Sequence, residues 1–217
     1  MSSTSANTDP AAAVPPLASP VESLLETARG NLYHLLAKCF SSPLEMQQQH
    51  VAHLRSAMAD LGPALQEPAI ALAQAWEVAL EDREALALAY ARLFLGPFQI
   101  FASPYASFYL EPDQHLMGAV SQNIARTYAA AGLAPGPGPR EAPDHVAVEW
   151  EFMYFLTYQY LTTVDERWIE QRRRFCATHL TQWMPSLAQL IHQADQHAFY
   201  NALADMLLAA LQDLAPD

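Results

Sequence analysis

The stretch "VAVEWEFMYFLTYQYLTT", residues 146–163, has only two charges, Glu149 and Glu151, and is apolar or aromatic on every side beyond them. A helix with one polar face lies on a surface, whereas a helix that is hydrophobic all round belongs in the centre of a bundle. The residues just before it, "PREAPDH" at 139–145, set an acid, an aspartate and a histidine at the mouth of that buried helix. Why titratable groups stand there is the functional question that the chain poses.

Composition supports the helical reading. A hydrophobic fraction of 52% against 16% charged residues suffices for a substantial core in 217 residues, enough for one domain. Only 7 glycines occur, and Leu and Ala dominate, which favours helices over a glycine-punctuated β fold. The net charge of −12 repels phosphate backbones and anionic membranes, so nucleic acid and lipid surfaces are excluded as first-choice partners. A basic peptide or protein fits better. Cys39 and Cys176 lie far apart in apolar surroundings without a C-x-x-C motif, as expected of two buried thiols in a reducing cytoplasm. No run reaches the roughly 18 uncharged apolar positions of a membrane span, so no stable insertion is expected. The opening "MSSTSANTDPAAAVPPLASP", residues 1–20, lacks the features of a signal peptide and reads as a disordered tail.

From Val21 the pattern turns helical, with Leu24, Ala28, Leu32, Leu35 and Leu36 on one face and Ser41-Ser42-Pro43 as a stop. A second helix is expected from about Leu44 to Leu61, a third over "EPAIALAQAWEVAL" and a fourth over "DREALALAYARLFL", ending at Gly96-Pro97. Residues 96–112, "GPFQIFASPYASFYLEP", hold three prolines and five aromatic rings, the mark of an ordered hydrophobic loop. A helix follows over "HLMGAVSQNIARTYAAAG", and then a hinge-like loop near 132–143 that divides subdomains of about 21–133 and 144–217. In "DERWIEQRRRFCATHL", Glu170 and Arg174 are spaced to pair on a solvated face that also takes Arg172 and Arg173. Pro185 is expected to kink or end that element, and "FYNALADMLLAALQDL" closes the chain as an amphipathic helix. The fold class is all-α, a single globular domain of about eight or more helices within residues 21–217.

Chemistry is harder to find. Glu141, Asp144 and His145 are candidates for acid–base work, yet Pro143 suits a first helical turn, and Asp144 after it would meet the helix dipole. His50 and His53 are three apart with only Glu45 as a third ligand, and no metal is expected. The phosphate-loop, dinucleotide and nucleophile-elbow patterns are absent. Taken by themselves, the residues make a weak case for an enzyme.

The motifs "YARLFLGPFQIFASPYASFYL" and "EAPDHVAVEWEFMYFL" resemble the TorD/DmsD family of molybdoenzyme maturation chaperones. The first resembles that family's Leu-Phe-x-Gly-Pro turn and Pro-aromatic-x-Ser-x-Tyr-Leu loop, through Leu93, Phe94, Gly96, Pro97, Pro104, Tyr105, Ser107, Tyr109 and Leu110. The second resembles its E-P-x-D-H signature, through Glu141, Asp144 and His145. "NLYHLLAKCF", "HLTQW" and "AFYNALADMLL" extend the likeness over roughly residues 25–212. Two departures stand out: the signature proline falls at 143 with Ala142 in its usual place, and Ser103-Pro104-Tyr105 replaces a frequent Pro-Pro-Trp.

The resemblance implies a cytoplasmic, non-enzymatic chaperone. It would bind the twin-arginine signal peptide of a cofactor-free molybdopterin reductase and delay export until the cofactor is loaded. No cofactor of its own is expected, beyond a weak GTP or molybdopterin-cofactor contact; the alternatives are a GTP-dependent switch and a helical adaptor without a groove. The expected assembly is a monomer, with a domain-swapped dimer as the variant. A twin-arginine leader couples guanidinium groups to an apolar segment, so its receptor needs carboxylates beside apolar surface. The implied leader-binding set is Glu141, Asp144, His145 and Ser107 with Tyr90, Phe94, Phe98, Tyr105 and Tyr109. One Asp144 oxygen is expected to cap the helix while the other faces the groove.

Overall fold

The computed structural model describes residues 19–96, 100–113, 117–134 and 141–214. These hold the helices α1 (Pro20–Cys39), α2 (Gln48–Met58), α3 (Pro63–Glu81), α4 (Arg83–Tyr90), α5 (Ala106–Leu110), α6 (Ala119–Ala130), α7 (Val146–Thr163), α8 (Arg167–Phe175), α9 (Thr181–Ala194) and α10 (Ala198–Asp213). A π-helical turn, Ala91–Leu95, prolongs α4, and another, Cys176–Leu180, joins α8 to α9. Among the described residues the only extended pairing is one isolated bridge. The class is all-α.

Local chemistry sets the helix ends. The Ser19 hydroxyl accepts the Glu22 amide ahead of Pro20, and the Asp82 carboxylate accepts the Ala85 amide at the start of α4. Gly96 closes the π turn at φ 41°, a left-handed conformation that glycine adopts without a Cβ clash.

As its composition requires, α7 is largely buried, although Glu151, Tyr158, Thr162 and Thr163 are exposed. It packs along α1 and against α8, while α3 lies on α10, which also carries α9. These partners come from both sides of the 132–143 loop, and they share one hydrophobic cluster that includes Leu32, Leu36, Trp76, Trp150, Leu156, Trp183, Leu203 and Leu207. Truncating one such fully buried tryptophan to alanine costs about 3–5 kcal/mol. Close approach of α1 to α7 relies on Gly30, where an added Cβ would stand 3.3 Å from the Thr157 methyl. Cys39 and Cys176 are buried free thiols.

Four expectations are corrected. The segment 44–61 is not one helix: a 3-10 turn, Pro43–Glu45, precedes α2, because Ser42 and Pro43 start a separate turn and His50 Nδ1 accepts the Gln47 amide at a fresh helix start. Pro185, expected to kink or end its element, does not end it: it sits inside α9, downstream of the Cys176–Leu180 turn. Leu24 is exposed, and Glu26 is buried on α1 in its stead. Arg172 is not solvated. It is 2% exposed and joined to Glu26, with Nη1 donating to the Thr157 hydroxyl at 2.8 Å, whereas Arg173 and Arg174 remain exposed.

That buried ion pair belongs to a larger clasp. Arg29 donates to Glu26 at 2.8 Å and binds both oxygens of Asp213 at 2.8 and 3.0 Å, so α1, α7, α8 and α10 meet in one polar network. Burial alone would raise the Glu26 pKa, but the hydrogen bonds and charges of Arg172 and Arg29 outweigh it and hold the carboxyl below its ordinary value. The expected tail lies outside the described residues up to position 18, as does the hinge at 135–140.

Candidate functional site

Two loops are stitched together at the mouth of α7. Ala106 donates its amide to the Asp144 carbonyl at 2.9 Å, and Val146 donates to the Pro104 carbonyl at 2.8 Å, making the bridge between Tyr105 and His145. Their rings meet edge-on at 5.0 Å. The Tyr128 hydroxyl adds a bond to the Pro143 carbonyl at 2.8 Å, which ties α6 to the same strip.

Asp144 is the hub, in a way that spacing along its own helix did not reveal. The carboxylate is fully buried, accepts the Ser107 amide at 2.9 Å in the first turn of α5, and accepts the Ser121 hydroxyl from α6. It therefore serves α5 and α6 instead of capping α7, and neither oxygen faces a groove. The cap of α7 is His145, whose Nδ1 accepts the Ala147 amide at 3.2 Å. Burial lowers the His145 pKa, although the Glu141 and Asp144 charges oppose the shift. A neutral imidazole suits this role, since the accepting nitrogen must keep its lone pair.

Above this buried layer lies a surface. Glu141 is exposed, and the Tyr105 hydroxyl donates to its Oε2 at 2.8 Å. Tyr90 is half-buried beside them; burial first, then the charges of Glu141 and Glu45, raises its pKa. Tyr105 is raised for the same leading reason, with the Glu141 bond next. Glu45, in the 3-10 turn before α2, adds its charge at Tyr90; in sequence it stands out only as a third ligand for His50 and His53, because it shares no motif with Glu141. Apolar side chains are exposed nearby in sequence, at Leu44, Leu95, Ile100 and Phe101.

Of the remaining expected site residues, Phe94 and Ser107 are interior and Tyr109 is half-buried. Phe94 is 3% exposed and packs among the rings of Phe40, Tyr90 and Tyr200. Ser107 is buried, and its amide serves Asp144. Tyr109 turns inward to donate to the Ser103 carbonyl at 2.8 Å, with its ring 5.4 Å from Trp183. Phe98 lies outside the described residues.

A second polar cluster was legible only as an oddity. Glu149, one of the two charges of the apolar helix, is wholly buried between His179 Nε2 at 2.6 Å and Trp183 Nε1 at 3.1 Å. Burial pushes its pKa up to about 7 despite those hydrogen bonds. The "HLTQW" motif thus has a physical role, which is to satisfy a carboxyl inside the bundle. Among the described residues no three His, Cys, Asp or Glu side chains are placed to hold a metal, and no helix is long and apolar enough to cross a membrane.

Comparison with known proteins agrees with this architecture. A family model described as nitrate reductase delta subunit matches residues 54–189. The chaperone protein TorD of Psychrobacter sp. is 32% identical over 202 residues, spanning 86% of this chain and 90% of its own length. The TorD of Vibrio parahaemolyticus is 27% identical over 198 residues, spanning 83% and 90%. Among solved structures, an Archaeoglobus fulgidus protein assigned to redox enzyme maturation superposes with a TM-score of 0.52 over 82% of this chain and 91% of that one. At 24% identity it speaks to the fold alone.

Proposed function

The chain belongs to the TorD/DmsD family of molybdoenzyme maturation chaperones, which are not enzymes, and from that premise we propose that it binds the twin-arginine leader of a molybdopterin reductase in the cytoplasm, before cofactor insertion and export. The observation that carries the reading is exposed Glu141, bonded by the Tyr105 hydroxyl at 2.8 Å, with exposed Glu45 as a second carboxylate whose charge, like that of Glu141, reaches Tyr90. Guanidinium groups fork onto carboxylates, and two acidic acceptors answer two arginines. Exposed Leu44, Leu95, Ile100 and Phe101 offer apolar surface for the segment that follows the arginines.

Asp144 and His145 enter this reading as positioning residues. They hold Tyr105 and the start of α5 in place from below and do not touch the leader. Titration calorimetry with a synthetic leader, beside the same peptide with both arginines changed to glutamine, tests the proposal. Loss of two charge-assisted hydrogen bonds predicts at least about a tenfold weaker glutamine peptide. Equal binding of the two peptides, or binding that survives Glu141→Gln with Glu45→Gln, would refute it.

A further inference from the structure

A cleft of about 610 Å³ lies between α6 and α8, outside the site described above. One wall is α8, from Arg167 through Arg174 and on to Thr178, and the other is α6, from Ile124 to Ala130, with Phe175 as apolar lining. In a chain of net charge −12, two arginines line this one cleft, with Glu170 between them. Their states differ. Arg167 is held by Asp165 at 2.9 Å and lies over the Trp168 ring at 4.6 Å. Arg174 is exposed and forms no ion pair or side-chain hydrogen bond with another described residue, not even with Glu170 one turn away.

We propose that this cleft docks a short acidic segment of a partner protein in extended conformation, with acidic side chains at Arg167 and Arg174 and an apolar residue against Ile124 and Phe175. Geometry chooses this occupant over a single small oxyanion. The two arginines are seven residues apart on one helix, which is about 10 Å along the axis at 1.5 Å per residue. One phosphate does not bridge that span while Arg167 stays with Asp165. An extended chain advances about 3.3 Å per residue, so acidic residues three apart match the spacing. Glu170, between the two arginines, opposes such a segment and limits its affinity.

The test uses the full chain and a fluorescein-labelled octapeptide with two aspartates three apart among leucine and serine, read by fluorescence anisotropy. The aspartate peptide should bind and its asparagine counterpart should not. Arg174→Ala should weaken binding about tenfold, as expected for a lost charge-assisted hydrogen bond, and Glu170→Gln should tighten it. Arg173→Ala makes the same charge change on an exposed residue that does not line the cleft, so it should leave affinity within about twofold, the effect of general screening alone. Unfolding curves on each variant separate lost binding from lost structure. Equal losses for Arg173→Ala and Arg174→Ala, indifference to aspartate against asparagine, or displacement by equimolar inorganic pyrophosphate would each overturn the proposal. The last of these would reassign the cleft to small oxyanions. Because none of these residues belongs to the Glu141 surface, failure here leaves the leader-binding reading untouched.

Discussion

The Asp144 carboxylate accepts the Ser107 backbone amide at 2.9 Å across 37 residues of chain, so the mouth of α7 holds the first turn of α5. The same carboxylate takes the Ser121 hydroxyl, and both donors are buried. Asp144→Ala leaves both without a partner, and at about 1–3 kcal/mol for each orphaned group the variant should lose several degrees of melting temperature. Asp144→Asn keeps an acceptor for the amide and should lose clearly less. An alanine variant that melts with the wild type would mean that the carboxylate is not the hub described here.

His145 makes a prediction of opposite chemistry. Its Nδ1 caps α7, and burial favours the neutral ring. With the folded pKa below 6.5, the unfolded state takes up the proton first. The contribution is therefore present above pH 6.5 and is lost as pH falls through the folded value. His145→Ala should cost about 1 kcal/mol of capping at neutral pH and remove that part of the acid sensitivity. Melting temperatures of both proteins between pH 5 and 8 test this, and parallel curves would exclude the titration.

How much of this was legible beforehand depended on whether the signal was periodic or spatial. The all-round apolar pattern of 146–163 is a property of one helix, and it correctly gave α7 a large buried share but not the exposure of Tyr158. The stop at Gly96 came from backbone chemistry local to one residue. By contrast, Arg172 looks like its neighbours Arg173 and Arg174 in a solvated run, because only the packing of α8 against α7 shows which of the three reaches Glu26 on α1. Asp144 misled for a related reason: a carboxylate at a helix start suggests a cap on that helix, but its partners arrive from α5 and α6. Glu45 had no helix or motif in common with Glu141, so nothing in sequence linked the two.

Glu149 should be visible in the pH dependence of stability. Burial raises its pKa from 4.5 to about 7, so between those values the folded state holds a proton that the unfolded state releases. Stability from this group is complete below pH 4.5 and falls as pH rises through about 7. Glu149→Gln resembles the protonated acid and can still accept from Trp183 and donate to His179. The variant should match the wild type near pH 4.5 and exceed it at pH 8 by a margin on the order of 3 kcal/mol. Denaturant unfolding at both pH values measures it. A variant less stable than wild type at pH 8 would show that the ionised carboxylate is needed there.

The last prediction separates two adjacent arginines. Arg172 is buried against Glu26 and Thr157, and Arg173 is exposed. Arg172→Met removes the cation and leaves Glu26, 5% exposed, with Arg29 as its remaining ionic partner. Breaking one side of a buried pair costs about 3–5 kcal/mol, because the partner's charge stays desolvated. Arg173→Met should fall within about 0.5 kcal/mol of wild type. Adding Glu26→Gln to Arg172→Met should recover much of the loss, since the stranded charge is then gone, and the double-mutant cycle gives the coupling directly. The recovery should be incomplete, as Glu26 also anchors Arg29, which in turn holds Asp213 on α10. Urea unfolding of the four proteins at neutral pH decides the matter: a double variant no more stable than Arg172→Met alone would show that the cost lies in packing around residue 172 and not in an uncompensated carboxylate.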